Sequence, residues 1–372
     1  MRACAGAAVL VMATSAAAGA AETPRCLGRD ATIAGGNARV LRGTPGDDVI
    51  AAYGGDYVVR AGRGNDLVCA DSPRDFVHGG TGDDRLHAID RDTAELYGGR
   101  GNDRVTGYER SKGGAGNDVV VGLAVWGGPG DDLLRARKGG VVVFGGAPRD
   151  VQVDLRRDSA TGEGNDSLSG DFDSIIGSRH DDVLVGDSEA NYLWGGAGHD
   201  RIAGGAGDDE ISGVSGDDRI TGGRGNDLVS PGTGADFVSA GPGDDEVDPK
   251  EGDDEVYGGR GTDSVHYVLW TEPLELDLAA GRAEGAGSDV IEGFENGSGG
   301  SADDVVRGTD GPNALFGYEG NDRIEGLEGD DSIDAGEGID IADGGDGNDT
   351  CENAETPISC EEAQPLPALT TA

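Results

Sequence analysis

The sequence predicts an all-β solenoid built from short stacked coils, not a set of globular domains with conventional cores. Glycine accounts for 71 of the 372 residues, while aliphatic, aromatic and cysteine residues together reach only 35%. A nine-residue pattern also returns in constant register over long stretches of the chain. Fixed short periods of this kind are typical of solenoids, in which each coil buries its apolar side chains only against its neighbours.

The most regular stretch is 195–266, which divides without a gap into units such as GGAGDDEIS and GGRGNDLVS. Position four of every unit is Gly, position six is Asp, and position eight is Ile or Val. Positions one to six are rich in residues that suit tight turns, and positions seven to nine place one branched apolar side chain between polar ones. Two units therefore form one coil, with a turn and a short strand on each side.

The N-terminal part of the chain predicts an exported protein. Residues 1–21 combine Arg2 with an Ala/Val/Leu stretch and a small-residue end, a pattern typical of a secretory signal peptide. We expect cleavage near Ala20 or Ala21. Residues 22–42 follow as an N-terminal cap segment, and no later segment is long and apolar enough to insert into a membrane.

The repeat is irregular over 43–149, where Tyr57 and Pro73 replace the expected Asp and Gly and spacers separate isolated units. Two repeat-poor interludes, 150–194 and 267–316, resemble each other: Val-Asp-Leu at 153–155 returns as Leu-Asp-Leu at 276–278. We interpret them as a duplicated module. The remaining predicted regions are the regular central roll (195–266), a C-terminal roll with a disulfide cap (317–360) and a disordered tail (361–372).

Removal of the signal peptide leaves four cysteines in an exported chain, which favours disulfides. They are Cys26, Cys69, Cys351 and Cys360, and three pairings are possible. Pairing within each end, Cys26 with Cys69 and Cys351 with Cys360, would close short loops and fasten both ends of the solenoid.

The formal net charge of −43 makes cations the natural partners of this chain. So acidic a surface repels phosphate backbones and anionic lipid headgroups, and therefore excludes nucleic acids and membrane surfaces as partners. No thiolate or imidazole recurs at a fixed position, so zinc, copper and iron lack their preferred ligands. Carboxylates that converge between stacked turns suit Ca²⁺, which takes several oxygen ligands in flexible geometry.

The candidate calcium ligands are the position-six aspartates of the repeat. In the central roll, Asp200, Asp218, Asp236 and Asp254 are expected to line one column of turns, and Asp209, Asp227, Asp245 and Asp263 the other. The remaining candidates are Asp48, Asp66, Asp84, Asp103, Asp118, Asp132, Asp322, Asp331, Asp340 and Asp349.

The unit GGxGxDxUx resembles that of the repeats-in-toxin (RTX), or hemolysin-type, calcium-binding repeat proteins. The resemblance covers most of the chain after the signal peptide. It implies a right-handed parallel β-roll with several Ca²⁺ between adjacent turns, bound by the position-six carboxylates and by turn carbonyls. Because Tyr57 and Pro73 depart from the pattern, we expect weaker sites in the N-terminal block.

These observations predict a secreted calcium-binding protein whose β-roll folds on meeting extracellular Ca²⁺ and that has a structural or interaction role. A cell-surface or polysaccharide partner is left open. The zinc-protease signature HExxH, the nucleophile elbow GxSxG and the Walker phosphate loop do not occur, which predicts no enzymatic activity. The alternative is an accessory or catalytic module that acts on an extracellular polysaccharide, for which Asp154 and Asp277 are the candidate carboxylates.

Overall fold

A computed structural model describes residues 23–36, 38–89 and 94–360. The described chain is almost entirely β-structure, and its one helical element is the short 3-10 turn Leu155–Arg157. Thirty-eight strands form one continuous hydrogen-bonded system, wound as a parallel β-solenoid of about 18 turns. The predicted all-β solenoid is thus confirmed. The predicted signal peptide (1–21) and the predicted disordered tail (361–372) lie outside the described residues.

The coils present two faces, which we call the first and the second face. Two strands, Val119–Trp126 and Leu133–Val143, run around the edge and contribute to both. The other strands of the first face are Val40–Arg42, Val58–Arg63, Phe76–Thr81, Glu95–Arg100, Arg110–Ala115, Phe172–Ile176, Tyr192–Ala197, Glu210–Ser215, Leu228–Thr233, Glu246–Val247, Lys250–Glu251, Ser264–His266, Asn296–Ser298, Ala314–Phe316, Ser332–Asp334 and Thr350–Glu352.

The second face continues the same stacking on the opposite side of the coils. Its other strands are Ile33–Ala34, Val49–Ala52, Leu67–Ala70, Arg85–Ala88, Arg104–Thr106, Gln152–Asp154, Ser159–Thr161, Asn165–Ser169, Val183–Val185, Arg201–Ala206, Arg219–Arg224, Phe237–Pro242, Glu255–Arg260, Glu275–Asp277, Arg282–Glu284, Ser288–Glu292, Val305–Arg307, Arg323–Glu328, Ile341–Asp346 and Thr356–Ile358.

In the central roll each strand pairs in parallel with the strand two units further along the chain. Ile202 lies beside Ile220, and Gly205 beside Gly223. The strands therefore extend beyond the predicted positions seven to nine, because the backbone of positions one to three of the following unit is paired as well. Only positions four to six remain as the tight turn.

In the central roll, the core between the two faces is built mainly from one branched apolar side chain of each unit. The position-eight residues of the central roll are all buried, as the repeat predicted: Ile202, Ile211, Ile220, Val229, Val238, Val247, Val256 and Val265. A single buried branched side chain stabilises by about 1.5 to 3 kcal/mol, which is less than the ordering entropy of nine residues. Packing alone is therefore a thin source of stability for each unit.

Each interlude inserts three strands into the second face. Gln152–Asp154, Ser159–Thr161 and Asn165–Ser169 pair antiparallel, and their outer members rejoin the parallel stack on both sides. Glu275–Asp277, Arg282–Glu284 and Ser288–Glu292 repeat this arrangement. The shared architecture of these two inserts supports the interpretation of a duplicated module.

Both ends of the roll are closed by disulfides, Cys26–Cys69 and Cys351–Cys360. Of the three pairings that the sequence left open, the structure contains the one within each end. At the N-terminal end, Arg25–Cys26 and Arg29–Asp30 form a separate antiparallel hairpin. No helix among the described residues is long and apolar enough to cross a membrane.

Candidate metal centre

The position-six aspartates form continuous columns along the edges of the roll. In the central roll, one carboxylate oxygen of each, Oδ1, accepts a hydrogen bond from the backbone N–H of the equivalent residue in the preceding coil. The N···O distances are 2.7–2.9 Å. The two predicted columns, one beginning at Asp200 and the other at Asp209, are confirmed as structural arrangements.

A second ladder runs in the opposite direction through position five. Here the backbone N–H of the later coil donates to the side chain of the earlier coil, as from Asn226 to Asp208 and from Asp244 to Asn226. At His199 the acceptor is the imidazole Nδ1, which receives the N–H of Asp217. Where position five carries an acceptor, adjacent coils are therefore held together by two bonds of opposite direction. Ala235 and Ile339 occupy this position without a side-chain acceptor and only donate their N–H to the earlier coil.

The other carboxylate oxygen, Oδ2, divides the turns into two classes. In what we call a closed turn, it accepts the backbone N–H of position two of its own unit, as Asp48 does from Thr44 at 2.6 Å and Asp304 from Gly300 at 2.6 Å. In an open turn, Oδ2 is buried and has no hydrogen-bond partner. The open turns are those of Asp66, Asp84, Asp103, Asp118, Asp132, Asp166, Asp200, Asp209, Asp218, Asp227, Asp236, Asp245, Asp254, Asp263, Asp322, Asp331 and Asp340.

The open and the closed turns differ in the backbone at position two. Every open turn has a positive φ at this position, for example +121° at Gly205 in the unit of Asp209. The closed turns of Asp48, Asp182 and Asp304 have no positive φ there. The turn of Asp349 has the same backbone form as the open turns, with φ +98° at Gly345.

Four open turns adopt the positive φ without glycine at position two. The residues are Val214, Lys250, Tyr318 and Leu327, with φ between +74° and +87°. A side chain in this region of backbone space is strained by about 1 to 3 kcal/mol. The open form is therefore kept even where its backbone is costly.

Carbonyl oxygens converge on the same space as the free carboxylate oxygen. A Cβ placed on Gly204, at position one, would lie 2.3 Å from Oδ2 of Asp209 and 2.5 Å from the carbonyl oxygen of Gly222 in the next coil. The first position is glycine in most units because a side chain would fill this cradle of oxygens. Oxygen donors of two kinds thus meet between successive coils.

The free carboxylates are poorly accommodated as anions when nothing neutralises them. Burial raises the pKa of Asp218 to about 7; its bond from Asp200 lowers the pKa, and the neighbouring carboxylates of Asp200 and Asp236 raise it further. Burial likewise raises the pKa of Asp118 to about 8 and that of Asp254 to about 7. A charge that is buried without a partner is costly, so these turns favour a bound cation or a proton.

Within residues 23–36, 38–89 and 94–360, no group of three or more His, Cys, Asp or Glu side chains is placed to hold a metal ion. Side chains alone therefore do not form a complete coordination shell. The open turns nevertheless fit a hard cation, because each supplies an orphaned carboxylate oxygen beside backbone carbonyls. Ca²⁺ takes such mixed oxygen ligands in flexible geometry.

Several members of the columns were missed by the sequence analysis. Asp166 and Asp289 continue one column through the inserts and accept the N–H of Asp132 and Asp254, respectively. Their units, TGEGNDSLS and EGAGSDVIE, keep the repeat pattern and could have been found by searching outside the continuous register. Asp289 differs in that its Oδ2 accepts the hydroxyl of Tyr267 at 2.7 Å.

The N-terminal block contains a further position-six aspartate, Asp75, in the unit interrupted by Pro73. Its Oδ1 accepts the N–H of Tyr57 and its Oδ2 that of Ser72, so both oxygens are engaged. Two glutamates end columns in place of aspartate: Glu295 accepts the N–H of Asp263, and Glu355 that of Asp340.

The candidate catalytic carboxylates, Asp154 and Asp277, occupy equivalent strands of the two inserts, and the central roll lies between them. Asp154 lies 3.2 Å from Arg156 and 3.5 Å from Arg157, and Asp277 lies 3.6 Å from Arg307. The structure therefore places each beside arginine and does not bring the two together as a pair.

Comparison with known proteins gives one family. The family model of the RTX calcium-binding nonapeptide repeat matches more than half of the chain, over residues 34–68, 74–88, 95–109, 111–124, 126–147, 176–211, 204–238, 212–247, 231–265, 298–333 and 325–352. No curated protein was found to match. With the parallel roll and its columns of aspartates, this match shows that the chain belongs to the family of RTX calcium-binding nonapeptide repeat proteins.

Proposed function

We propose that this chain is an exported protein whose β-roll folds when Ca²⁺ binds at its open turns, and that the folded roll has a structural or interaction role. One observation carries the proposal. Each open turn, with its buried and unpartnered Oδ2, has a positive φ at position two. The backbone conformation and the orphaned oxygen together supply a cation site in each such turn.

The proposal assigns calcium to the open turns and not to every aspartate of the repeat. Both oxygens of Asp48 are engaged, since Oδ2 accepts the N–H and hydroxyl of Thr44 and Oδ1 accepts the hydroxyl of Thr32. Asp48 is therefore a turn-capping residue in this proposal. The predicted aspartates with open turns keep their role as ligands, Asp349 joins them through the conformation of Gly345, and Asp166 is added.

Coupling of folding to calcium follows from charge and from the thin core. With one buried side chain per unit, packing cannot compensate for columns of ionised carboxylates. Export is supported by the two disulfides, which persist in oxidising compartments. The proposal includes no catalytic step, because Asp154 and Asp277 are both held in ion pairs.

A calcium titration of the chain lacking residues 1–21, followed by calorimetry and by far-UV circular dichroism, tests this function. We expect cooperative uptake of several Ca²⁺ together with a coil-to-β transition, and no such transition with Mg²⁺ at the same concentration. A β-rich spectrum that a chelator leaves unchanged would refute the coupling, and weak uptake without folding would refute the assignment of the open turns.

A further inference from the structure

The acidic excess of the chain is confined to its C-terminal two thirds. Residues 23–150 contain 17 basic and 18 acidic side chains, whereas residues 151–360 contain 11 basic and 51 acidic side chains. The N-terminal roll is therefore almost neutral. Electrostatic repulsion of anions, which follows from the total charge, does not apply equally to this part of the surface.

On the first face of the N-terminal roll, five outward-facing side chains form a row along the solenoid axis: Arg60, His78, Tyr97, Lys112 and Trp126. They are register partners on successive coils. Neighbouring strands lie about 4.8 Å apart, so the row extends over roughly 19 Å. We call these five residues the basic–aromatic row.

Two pairs of side chains within the row are in contact, and within the described part of the chain its cations form no ion pairs. The rings of His78 and Tyr97 meet edge to face at 5.2 Å, and Lys112 Nζ lies 4.6 Å from the centre of the Trp126 ring. Among the described residues, no carboxylate lies within 4.0 Å of the charged groups of Arg60 or Lys112. By contrast, nearby Arg110 is 3.3 Å from Glu95.

Two adjoining grooves follow the row, with volumes of about 740 and 230 Å³. Tyr97 and Lys112 line both of them, so the grooves form one continuous surface. Arg100, Trp126 and Glu163 line the larger groove, and His78 and Glu95 line the smaller one. Six of the sixteen residues that line the larger groove are glycines, which contribute no side chain to block an extended ligand.

The same register position of the central roll has no such row. There Trp194 is followed on the next two coils by Ser212 and Ser230. Trp194 is more exposed than Trp126. Its register partner on the preceding coil is Ile176, so no cationic side chain lies beside it at this position. The alternation of cations and rings is therefore a local feature and not a consequence of the repeat.

The chemistry of the row fits a linear ligand that has flat, partly apolar rings and well-separated negative charges. The aromatic faces can stack on sugar rings, and Arg60, Arg100 and Lys112 can pair with carboxylates. Glu95 and Glu163 can accept hydrogen bonds from hydroxyl groups, but they repel closely spaced phosphates. A nucleic acid, with a charge on every nucleotide, suits this mixed lining less well than an acidic polysaccharide.

We propose that the basic–aromatic row is a binding site for a uronate-containing polysaccharide that lies along the solenoid axis. The site goes beyond calcium binding and gives the interaction role a partner of defined chemistry. It depends on the proposed calcium-folded roll only because that roll holds the five side chains in register.

The test is isothermal titration calorimetry of the full exported chain, folded in Ca²⁺, with a uronate hexasaccharide. Its carboxyl-reduced, neutral derivative and a single-stranded oligonucleotide are titrated for comparison at the same free Ca²⁺. We expect the uronate to bind, the neutral derivative to bind at least about tenfold more weakly, and the oligonucleotide not to bind.

Two variants and one matched control localise the site. Lys112→Ala and Trp126→Ala are each expected to weaken uronate binding at least about tenfold, whereas Trp194→Ala leaves it unchanged. Circular dichroism of each variant in Ca²⁺ separates loss of the site from loss of the fold. Absence of uronate binding by a folded chain, equal binding of the oligonucleotide, or equal losses in Trp126→Ala and Trp194→Ala would overturn the proposal.

Discussion

Replacement of Asp218 by Asn is expected to change the metal-free and the calcium-loaded roll in opposite directions. The amide oxygen can keep the bond from the Asp200 N–H, which Oδ1 accepts at 2.8 Å. The NH₂ group takes the place of the buried Oδ2, which has no partner. The substitution therefore removes a charge and a candidate calcium ligand but preserves the ladder. Asn191 and Asn313 already occupy position six in other units, where the amide oxygen accepts the N–H of position two, as in a closed turn.

The expected gain in stability of the metal-free roll follows from the pKa of the Asp218 carboxyl group. In the folded chain the pKa of Asp218 is about 7, against an ordinary value of 3.8. A raised folded-state pKa costs stability above that pKa, and a difference of about 3 units corresponds to about 4 kcal/mol. Solvent beside the turn screens part of this cost, so we use about 2 kcal/mol. Asp218→Asn should stabilise the metal-free roll by this amount at pH 8 and have no such effect at pH 3.

In Ca²⁺ the substitution Asp218→Asn is expected to lower the stability of the roll instead of raising it. A site filled at a hundredfold excess over its Kd contributes about 2.7 kcal/mol to stability, and the amide variant loses that contribution. The assay is urea unfolding at pH 8, measured once in chelator with an osmolyte that holds the roll folded and once in Ca²⁺.

The matched control is Asp217→Asn, the same chemical change one residue earlier. Asp217 is exposed, and its Oδ1 accepts the N–H of Ala235 in the second ladder, which runs through position five. The amide oxygen of Asn can accept the same bond. We expect Asp217→Asn to leave the free energy of unfolding unchanged both in chelator and in Ca²⁺. Equal effects of the two substitutions, or destabilisation of the metal-free roll by Asp218→Asn, would refute the assignment of the open turn as a cation site.

Three further predictions concern the same turns. In chelator, β-content should rise as the pH falls from 8 to 5, because folded-state pKa values such as about 8 for Asp118 favour protonation; circular dichroism that shows the reverse would contradict this. Gly216→Ala should lower the stability of the calcium-loaded roll by more than about 3 kcal/mol, since its Cβ would lie 1.9 Å from the Gly198 carbonyl, whereas Gly46→Ala, in open space, should not. Leu327→Gly should relieve the strain of φ +86° and raise the thermal midpoint in Ca²⁺, and an unchanged or lower midpoint would count against strain at position two.

The stacking of the coils can be predicted from the sequence, because the nine-residue repeat determines both the length of each coil and which of its side chains is buried. Ile211 and Val229 are buried and in register, as their place in the unit requires. The extension of strands into positions one to three was not predicted. The pairing of Gly205 with Gly223 results from stacking of the coils, and glycine carries no strand signal of its own.

The two inserts show a second limit of prediction from the sequence. Alternating apolar residues at Val153 and Leu276 identify strands, but their antiparallel partners depend on local turns, such as the one at Asp158 with φ +53°. Asp166 escaped notice for a related reason, since the insert shifts the register of the repeat. Periodicity therefore identifies sites within a block and loses them where a block is interrupted.

Sequence reasoning expected weaker sites throughout the N-terminal block, although Asp48 and Asp66 within it have different surroundings. The difference lies four residues earlier, where Thr44 donates its N–H to Asp48 and Gly62 has φ +117°. Glycine at position two favours an open turn but does not decide it, since Gly300 holds this position in the closed turn of Asp304. The open turns at Val214 and Lys250 are not readable in this way, because neither residue favours a positive φ.

The strained open turns bear on what stabilises the roll. The chain contains a relaxed alternative, since the turn of Asp182 is closed and its Oδ2 accepts the Ser178 N–H. A roll stabilised by packing alone would gain this hydrogen bond and lose the strain by closing the turn at Val214 as well. The turn is nevertheless open, with a buried carboxylate oxygen left unpaired in Asp218. On the proposed function, an oxygen-binding cation between the coils compensates for both costs. The backbone at position two, more than the aspartate itself, then marks a candidate cation site.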